Sequence, residues 1–367
     1  MPRALTWRGA GANLRATVND IRQPADAYLR SLLLCLLAGG VLTALGLPLG
    51  WLIGSLVATG YLALRGAAAV PALARPAGLV GLGLALGQGF TPPVTEAVAA
   101  ALPAMLAGAG VALLAGVAVA PLFRRLSGSD GRTAFFAMIP GGVVNMAVLA
   151  DRAGGAVSVV TFAQSIRMAL VVLIYPAMMA VFARPGGNSV FDAALPAHHW
   201  GGLALLLVAG AVVAVAGSRI GLANAAMFAP CLLAMGLLAS GALPSSVPRW
   251  LVDAAQVTMG ASLGMHLASE GLGGAPQRVA LAGLVSGAVL LVLLVAAGLG
   301  IGWLAGLPII SVVLGLAPGG MPEMVVTAQA LELAVPLVLG FHLLRMVLCN
   351  LLVGPLWRAA VSVGLLR

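Results

Sequence analysis

Pro140-Gly141-Gly142-Val143-Val144-Asn145-Met146 sits inside an apolar stretch, and 178 residues later Pro318-Gly319-Gly320-Met321-Pro322-Glu323-Met324 repeats its frame. Pro removes a backbone donor and disfavours α geometry at the residue before it. Two consecutive Gly permit positive φ and a close approach of another group to the backbone. A helix broken here leaves free N–H groups and a positive dipole end. In hydrocarbon, such backbone must line a protein-walled or watery cavity.

Outward from this pair, the offset of 178 gives 13 identities in the 38 positions of residues 140–177. They include Met146/Met324, Val148/Val326, Ala150/Ala328, Arg167/Arg345 and Met168/Met346. Upstream, Gly83/Gly260 and Gly87/Gly264 align at 177. The chain therefore reads as a tandem duplication. Of its 367 residues, 61% are hydrophobic and 8% charged, and the mean hydropathy is +1.10. A soluble domain is about 25% charged. A soluble enzyme, a secreted disulfide scaffold and a disordered chain are excluded; an all-α polytopic membrane protein remains. All 19 basic residues are Arg, giving a net charge of +9. They are scattered between apolar runs, as topogenic charges are, and not gathered on a soluble face as nucleic-acid binding requires. Cys35, Cys231 and Cys349 lie in apolar runs and read as small buried hydrophobes.

A crossing of roughly 30 Å takes about 20 helical residues. Candidate segments lie near 31–46, 50–65, 76–91, 97–123, 133–150 and 156–182, then near 199–217, 222–241, 250–268, 279–305, 309–330 and 335–362. The organisation predicted is an Arg-rich cytoplasmic tail (1–30), membrane repeat one (31–182), a connector (183–199) and membrane repeat two (200–367). If the Pro-Gly-Gly segments cross, each half has six spans and the halves are parallel. If they dip in and return, each half has five spans and the halves are inverted. The Arg pattern favours inversion. Arg65, Arg75, Arg124, Arg125 and Arg132 in the first half face loops that carry only Arg184 and Arg249 in the second. Arg219 and Arg278 fall where the first half has none. Inverted copies obeying the positive-inside rule flip their bias in this way. The expectation is five spans plus one Pro-Gly-Gly re-entrant or broken helix per repeat. Trp51, Trp200, Trp250, Trp303 and Trp357 fall near segment ends, as interfacial anchors do.

Symmetric helix breaks are the best sequence pointer to a transporter site. The candidate substrate-binding residues are Gly141, Gly142, Asn145, Gln164 and Arg167, with Gly319, Gly320, His342 and Arg345. A mid-membrane Arg is expensive and faces an interior cavity or a partner. Two roles are open to Arg167 and Arg345: holding a carboxylate substrate against the helix N-termini, or pinning each hairpin through its loosened carbonyls. Gln164 and His342 share their helix faces at i−3. Glu323 is the coupling-ion candidate, or else the counter-charge of Arg345. Thr327 and Gln329 extend its polar strip. Asp253, Gln256, Thr258, His266 and Gln88 form further strips, suited to a wet cavity or to interhelical hydrogen bonds. His198-His199 reads as a surface pair. No catalytic motif, metal-ligand cluster or phosphate-binding loop is present, so no enzyme activity and no cofactor are called for.

At Gly50-Trp-Leu-Ile-Gly54, Ile139-Pro-Gly-Gly142, Pro318-Gly-Gly320-Met-Pro-Glu-Met324 and the Arg-Met steps at 167–168 and 345–346, the chain resembles the AbrB-duplication family of bacterial inner-membrane proteins. The resemblance covers about residues 31–362. It implies a tandem membrane duplication of about ten spans in the bacterial inner membrane. Family members carry inherited labels of transcriptional regulator or ammonia monooxygenase, alongside a transport role. Asn145 stands where the second copy has Glu323, so an acidic role does not carry over to the first hairpin. The function expected is a secondary transporter of a small organic anion, coupled to H⁺ or Na⁺ and working by alternating access. The alternative is a non-transporting membrane regulator acting through a protein partner. The partners called for are a small-molecule or ion substrate and the lipid bilayer, with a homodimer allowed and nucleic acid excluded. Both termini are expected on the cytoplasmic side.

Overall fold

The structure, a computed structural model, describes residues 25–182, 197–222, 224–272 and 277–364. Residues 1–24 of the expected tail and 183–196 of the expected connector lie outside the described residues. The described chain is helical throughout: α1 (Ala25–Ala44), α2 (Gly50–Leu64), α3 (Ala74–Gly87), α4 (Pro92–Ala100), α5 (Leu102–Ser127), α6 (Gly131–Met138), α7 (Val143–Ala153) and α8 (Val157–Phe182) in the first half. The second half has α9 (Trp200–Arg219), α10 (Ala225–Ala239), α11 (Arg249–Leu272), α12 (Gln277–Ala305), α13 (Ile309–Leu316), α14 (Met321–Ala330) and α15 (Val335–Ser362). The protein is a polytopic helical membrane protein. Six helices (α1, α5, α8, α9, α12 and α15) are long and apolar enough to span a membrane. The shorter apolar α2, α3 and α10 lie among them.

The duplication is visible helix by helix, α1–α3 matching α9–α11 and α5–α8 matching α12–α15. The four elements around each Pro-Gly-Gly begin 178 or 175 residues apart, as in Gly131/Ile309, Val157/Val335 and Leu102/Gln277. Two boundaries differ from the sequence expectation. The first helix already includes Ala25–Arg30, ahead of the expected start near residue 31, and an Arg30–Asp26 ion pair of 2.9 Å braces this stretch. The segment expected near 97–123 is two helices, broken at Ala101 before Pro103, with no separate counterpart of α4 among the described residues.

Small residues fix which helices touch. Gly83 and Gly87 of α3 lie against the Met227 and Cys231 backbone of α10. Their repeat partners Gly260 and Gly264 of α11 lie against Leu52 and Leu56 of α2. Both pairs advance in the same direction along both helices, so α3 runs parallel to α10 and α11 parallel to α2. The equivalent helices α3 and α11 run opposite ways, since Gly78 meets Ala255 while the later Gly81 meets the earlier Leu251. Equivalent helices running antiparallel mean that the repeats are inverted.

The Pro-Gly-Gly segments re-enter. The Ala156 N–H, just beyond α7, donates to the Thr133 hydroxyl at the start of α6 at 2.9 Å, and Arg132 donates to the Ala153 carbonyl at 3.1 Å. In the second repeat the Ala334 N–H donates to the Ser311 hydroxyl at 3.1 Å, each residue 178 along from its counterpart. Each hairpin thus returns to the face it left, and inversion puts the two hairpins on opposite faces. Asp130 caps the first by accepting the Thr133 N–H at 3.1 Å. Following the chain, Arg30, Arg65, Arg75, Arg124, Arg125, Arg132, Arg152, Arg219, Arg278 and Arg358 lie toward the face where α1 begins, here the N-terminal face. Among the described residues only Arg249 lies toward the other.

A side chain at the α3–α10 or α11–α2 crossing must push two backbones apart, and small-residue contacts are what bring membrane helices this close. Gly83→Val and Gly260→Val are each expected to cost about 1–3 kcal/mol by overpacking, read as a lower unfolding midpoint in detergent. Gly201→Val, at a position with open space around it, is the neutral control.

Candidate functional site

The site is built where the two hairpin tips meet. Arg167, in α8 and 2% exposed, is placed beneath the first break. Its Nη1 donates to the Met138 carbonyl at 3.2 Å and, less closely, to Ala137 at 3.4 Å. Its Nη2 donates to the Gln164 side-chain oxygen at 2.6 Å. Gln164 in turn donates to the Phe136 and Ile139 carbonyls at 2.8 and 3.0 Å. The orphaned carbonyls at the end of α6 are thereby satisfied by side chains one repeat element away. The Arg167 Nε reaches further and donates to the Pro318 carbonyl, in the other hairpin, at 3.0 Å.

Arg345 does the same for the second break. It donates to the Ala317 carbonyl at 2.6 Å, to Gly319 at 3.1 Å and, at the limit of the range, to Leu316 at 3.5 Å. Of the two roles left open by sequence, the geometry of both Arg residues is that of the pin. Symmetry ends at the neighbours. His342 stands where Gln164 does, but its Nδ1 faces its own helix at the Val338 carbonyl, 3.1 Å away. His342 Nε2 and Arg345 Nε are buried with no partner among the described residues.

The tips interlock between repeats. A Cβ on Gly141 would meet the Cys349 sulfur of α15, and one on Gly319 would meet Val171 of α8, residue 349 less 178. Met146 and Met324 close the same contacts. Gly142 carries φ of 88°, while Gly320 has φ of −70°. Asn145 is partly exposed on α7. Glu323 is 1% exposed on α14, and its partner is Arg75 at the start of α3, 3.0 Å away; it does not neutralise Arg345. The second carboxylate oxygen of Glu323 is buried without a partner among the described residues. Thr327 turns its hydroxyl to the Glu323 backbone carbonyl at 2.8 Å.

Within the remaining polar strips the described bonds are local or tie a connection. Gln88 ties the connection after α10 by donating to the Ser245 carbonyl and accepting the Val247 N–H, both at 3.1 Å. Gln256 lies 3.3 Å from Asp253 one turn away, and Thr258 bonds the Ala255 carbonyl of its own helix. His198 is exposed beside Trp200 and Ser245. The three Cys are buried and free. Among the described residues no group of three His, Cys, Asp or Glu side chains could hold a metal.

The participant that sequence reading passed over is Arg75, taken there as a loop charge. A signal for it existed. Glu323 aligns with Asn145 and Arg75 with Val252, so two opposite charges break the repeat symmetry together.

With this geometry in hand, the comparison with known proteins is direct. The sequence matches the family described as "Transition state regulatory protein AbrB" over residues 51–360. The chain belongs to that family. The match runs from the second helix to the end of the last and takes in both hairpins. The chain is also 26% identical to "Uncharacterized protein YhjN" of Bacillus subtilis (strain 168), over 88% of this chain and 90% of that one.

Removing a pin strands several buried carbonyls, each costing about 1–3 kcal/mol. Arg167→Met is expected to destabilise by on the order of 3 kcal/mol or more, measured by unfolding in detergent. Arg167→Lys recovers less than half, because one ammonium cannot reach both tips as the planar fork does.

Proposed function

We propose that this protein is a secondary transporter of a small organic anion, coupled to H⁺ or Na⁺ and working by alternating access. The observation that carries the reading is the meeting of two inverted re-entrant tips, each broken at Pro-Gly-Gly, within a membrane bundle. Broken helices at repeat interfaces are where transporters place substrate and coupling-ion sites. The Arg pins set the roles within the site. They hold the end of each hairpin's first arm and leave the substrate to what remains unspent: the first-turn N–H groups after Gly142 and Gly320, Asn145, and the Arg345 Nε, unpartnered among the described residues. Glu323, with one buried oxygen that has no partner among the described residues, is the coupling residue. The reading involves no enzymatic step and no cofactor. The Arg distribution supports a cytoplasmic N-terminal face in the inner membrane, with α15 ending on that same side.

A second reading has one observation in its favour, the family description as a regulatory protein. On it, the chain senses a solute and signals through a protein partner without carrying flux.

Uptake of a carboxylate panel into proteoliposomes under imposed proton and Na⁺ gradients separates the two. The transporter reading expects gradient-driven uptake above empty liposomes, and at least about a tenfold loss in Glu323→Gln, equal to 1.4 kcal/mol of lost coupling. No uptake for any solute, with a stoichiometric protein partner recovered from the membrane, supports the regulator instead.

A further inference from the structure

The two hairpins are equivalent by sequence but not by conformation. Val148 of α7 is 45% exposed, while its partner Val326 of α14 is fully buried at 0%. The whole first two turns of α14 are buried, whereas Gly142 stands exposed and Asn145 half-exposed on α7. The core containing α14 is shared with α2, α3, α10 and α11, through Leu52, Leu82, Met227 and Met259. The core containing α7 holds none of those helices. The tip backbones differ too, at Gly142 and Gly320. An exposed Gly142 backbone and an Asn facing lipid would be costly, so the open side of α7 faces water. Hairpin one is thus the exposed hairpin, and hairpin two the buried, closed one.

We propose that this is the state open to the N-terminal face, and that the Arg75–Glu323 ion pair is its latch. The latch joins the helix quartet, through α3, to the closed hairpin at the depth of its tip. Asn145 and Val252, the symmetry counterparts, form no charge pair, so the inverse state, with α7 closed and α14 open, has no equivalent lock. The two hairpins exchange conformations, with Gly142 and Gly320 as the tip hinges. Arg75 acts here as a positioning residue; when Glu323 takes up its coupling ion, the ion replaces Arg75 and frees the hairpin. That last step rests on the transporter reading, while the two conformations do not.

The test is thiol labelling of the full chain in membrane vesicles, with Val148→Cys and Val326→Cys made separately and the unsubstituted protein, whose three Cys are buried, as background. The probe is a membrane-impermeant maleimide applied to each face in turn, reaching Val148→Cys from the N-terminal face and Val326→Cys from the opposite one. Val148→Cys is expected to label at least about tenfold faster than Val326→Cys, the ratio that a two-state bias of 1.4 kcal/mol gives. Adding Arg75→Gln is expected to raise Val326→Cys labelling and lower Val148→Cys labelling, and Arg75→Lys to restore the original ratio. Glu323→Gln breaks the same pair from the other side and serves if Arg75→Gln does not fold. Equal labelling of the two positions overturns the proposal. So does a Val148→Cys that reacts only with a permeant reagent, or a ratio unmoved when the pair is broken. Labelling needs no substrate, so a failure here leaves the uptake measurement to judge transport on its own.

Discussion

A helix interrupted in hydrocarbon leaves carbonyls that neither lipid nor its own ladder can satisfy, and the rest of this structure follows from how those carbonyls are met. Arg167 and Arg345 supply the donors, each from the helix that follows its own hairpin. A guanidinium suits the task because it never loses its charge at working pH and spreads several donors in one plane. Its burial would be prohibitive alone, but bonding to carbonyls at a helix C-terminus sets the charge against the negative end of a dipole. Through Pro318, Arg167 also makes the first hairpin's pin a contact with the second. The two halves are thereby joined at their weakest points.

That junction needs the inverted arrangement around it. Two hairpins from one face would lie side by side; from opposite faces they meet end to end, each tip resting on the other repeat's last helix. The glycine pairs on α3 and α11 do the complementary work outside the tips, drawing α10 and α2 close enough that the quartet becomes one packed layer. In that layer the apolar core includes α14 and omits α7. A molecule with two-fold symmetry in sequence has settled into an unsymmetric state, and a charge pair between the halves that has no symmetry-related copy is the chemical difference that accompanies it.

Much of this was legible in the residues. The doubled Pro-Gly-Gly, the glycines 177 apart and the flipping Arg bias were enough to place two inverted copies with a hairpin in each. Membrane proteins make such reading easier because unsatisfied backbone is so strongly excluded from lipid. The site was less legible. Sequence placed Arg167 and Arg345 at the breaks but left pin and grip open, because spacing does not say whether a long side chain turns toward carbonyls or away from them. Glu323 was seen without its partner, since Arg75 lies 248 residues away and only the fold brings them together. His342 looked like Gln164 by position, yet its Nδ1 turns to its own helix while Gln164 turns to the hairpin. Which rotamer wins there is a matter of local space, which the sequence pattern does not encode.

The most direct measurement of the crossed-tip arrangement uses a thiol already in place. In Gly141→Cys, with Cys35 and Cys231 replaced by Ala, the new side chain should lie against Cys349 of the other repeat. Mild oxidation of the folded protein in its membrane, with copper phenanthroline taking the two electrons, should then consume both thiols and form an intramolecular disulfide, seen by free-thiol titration and non-reducing electrophoresis. A folded protein in which both thiols stay free under the same oxidant would mean that the first tip does not reach the last helix, and the account of two hairpins meeting within the bundle would be wrong.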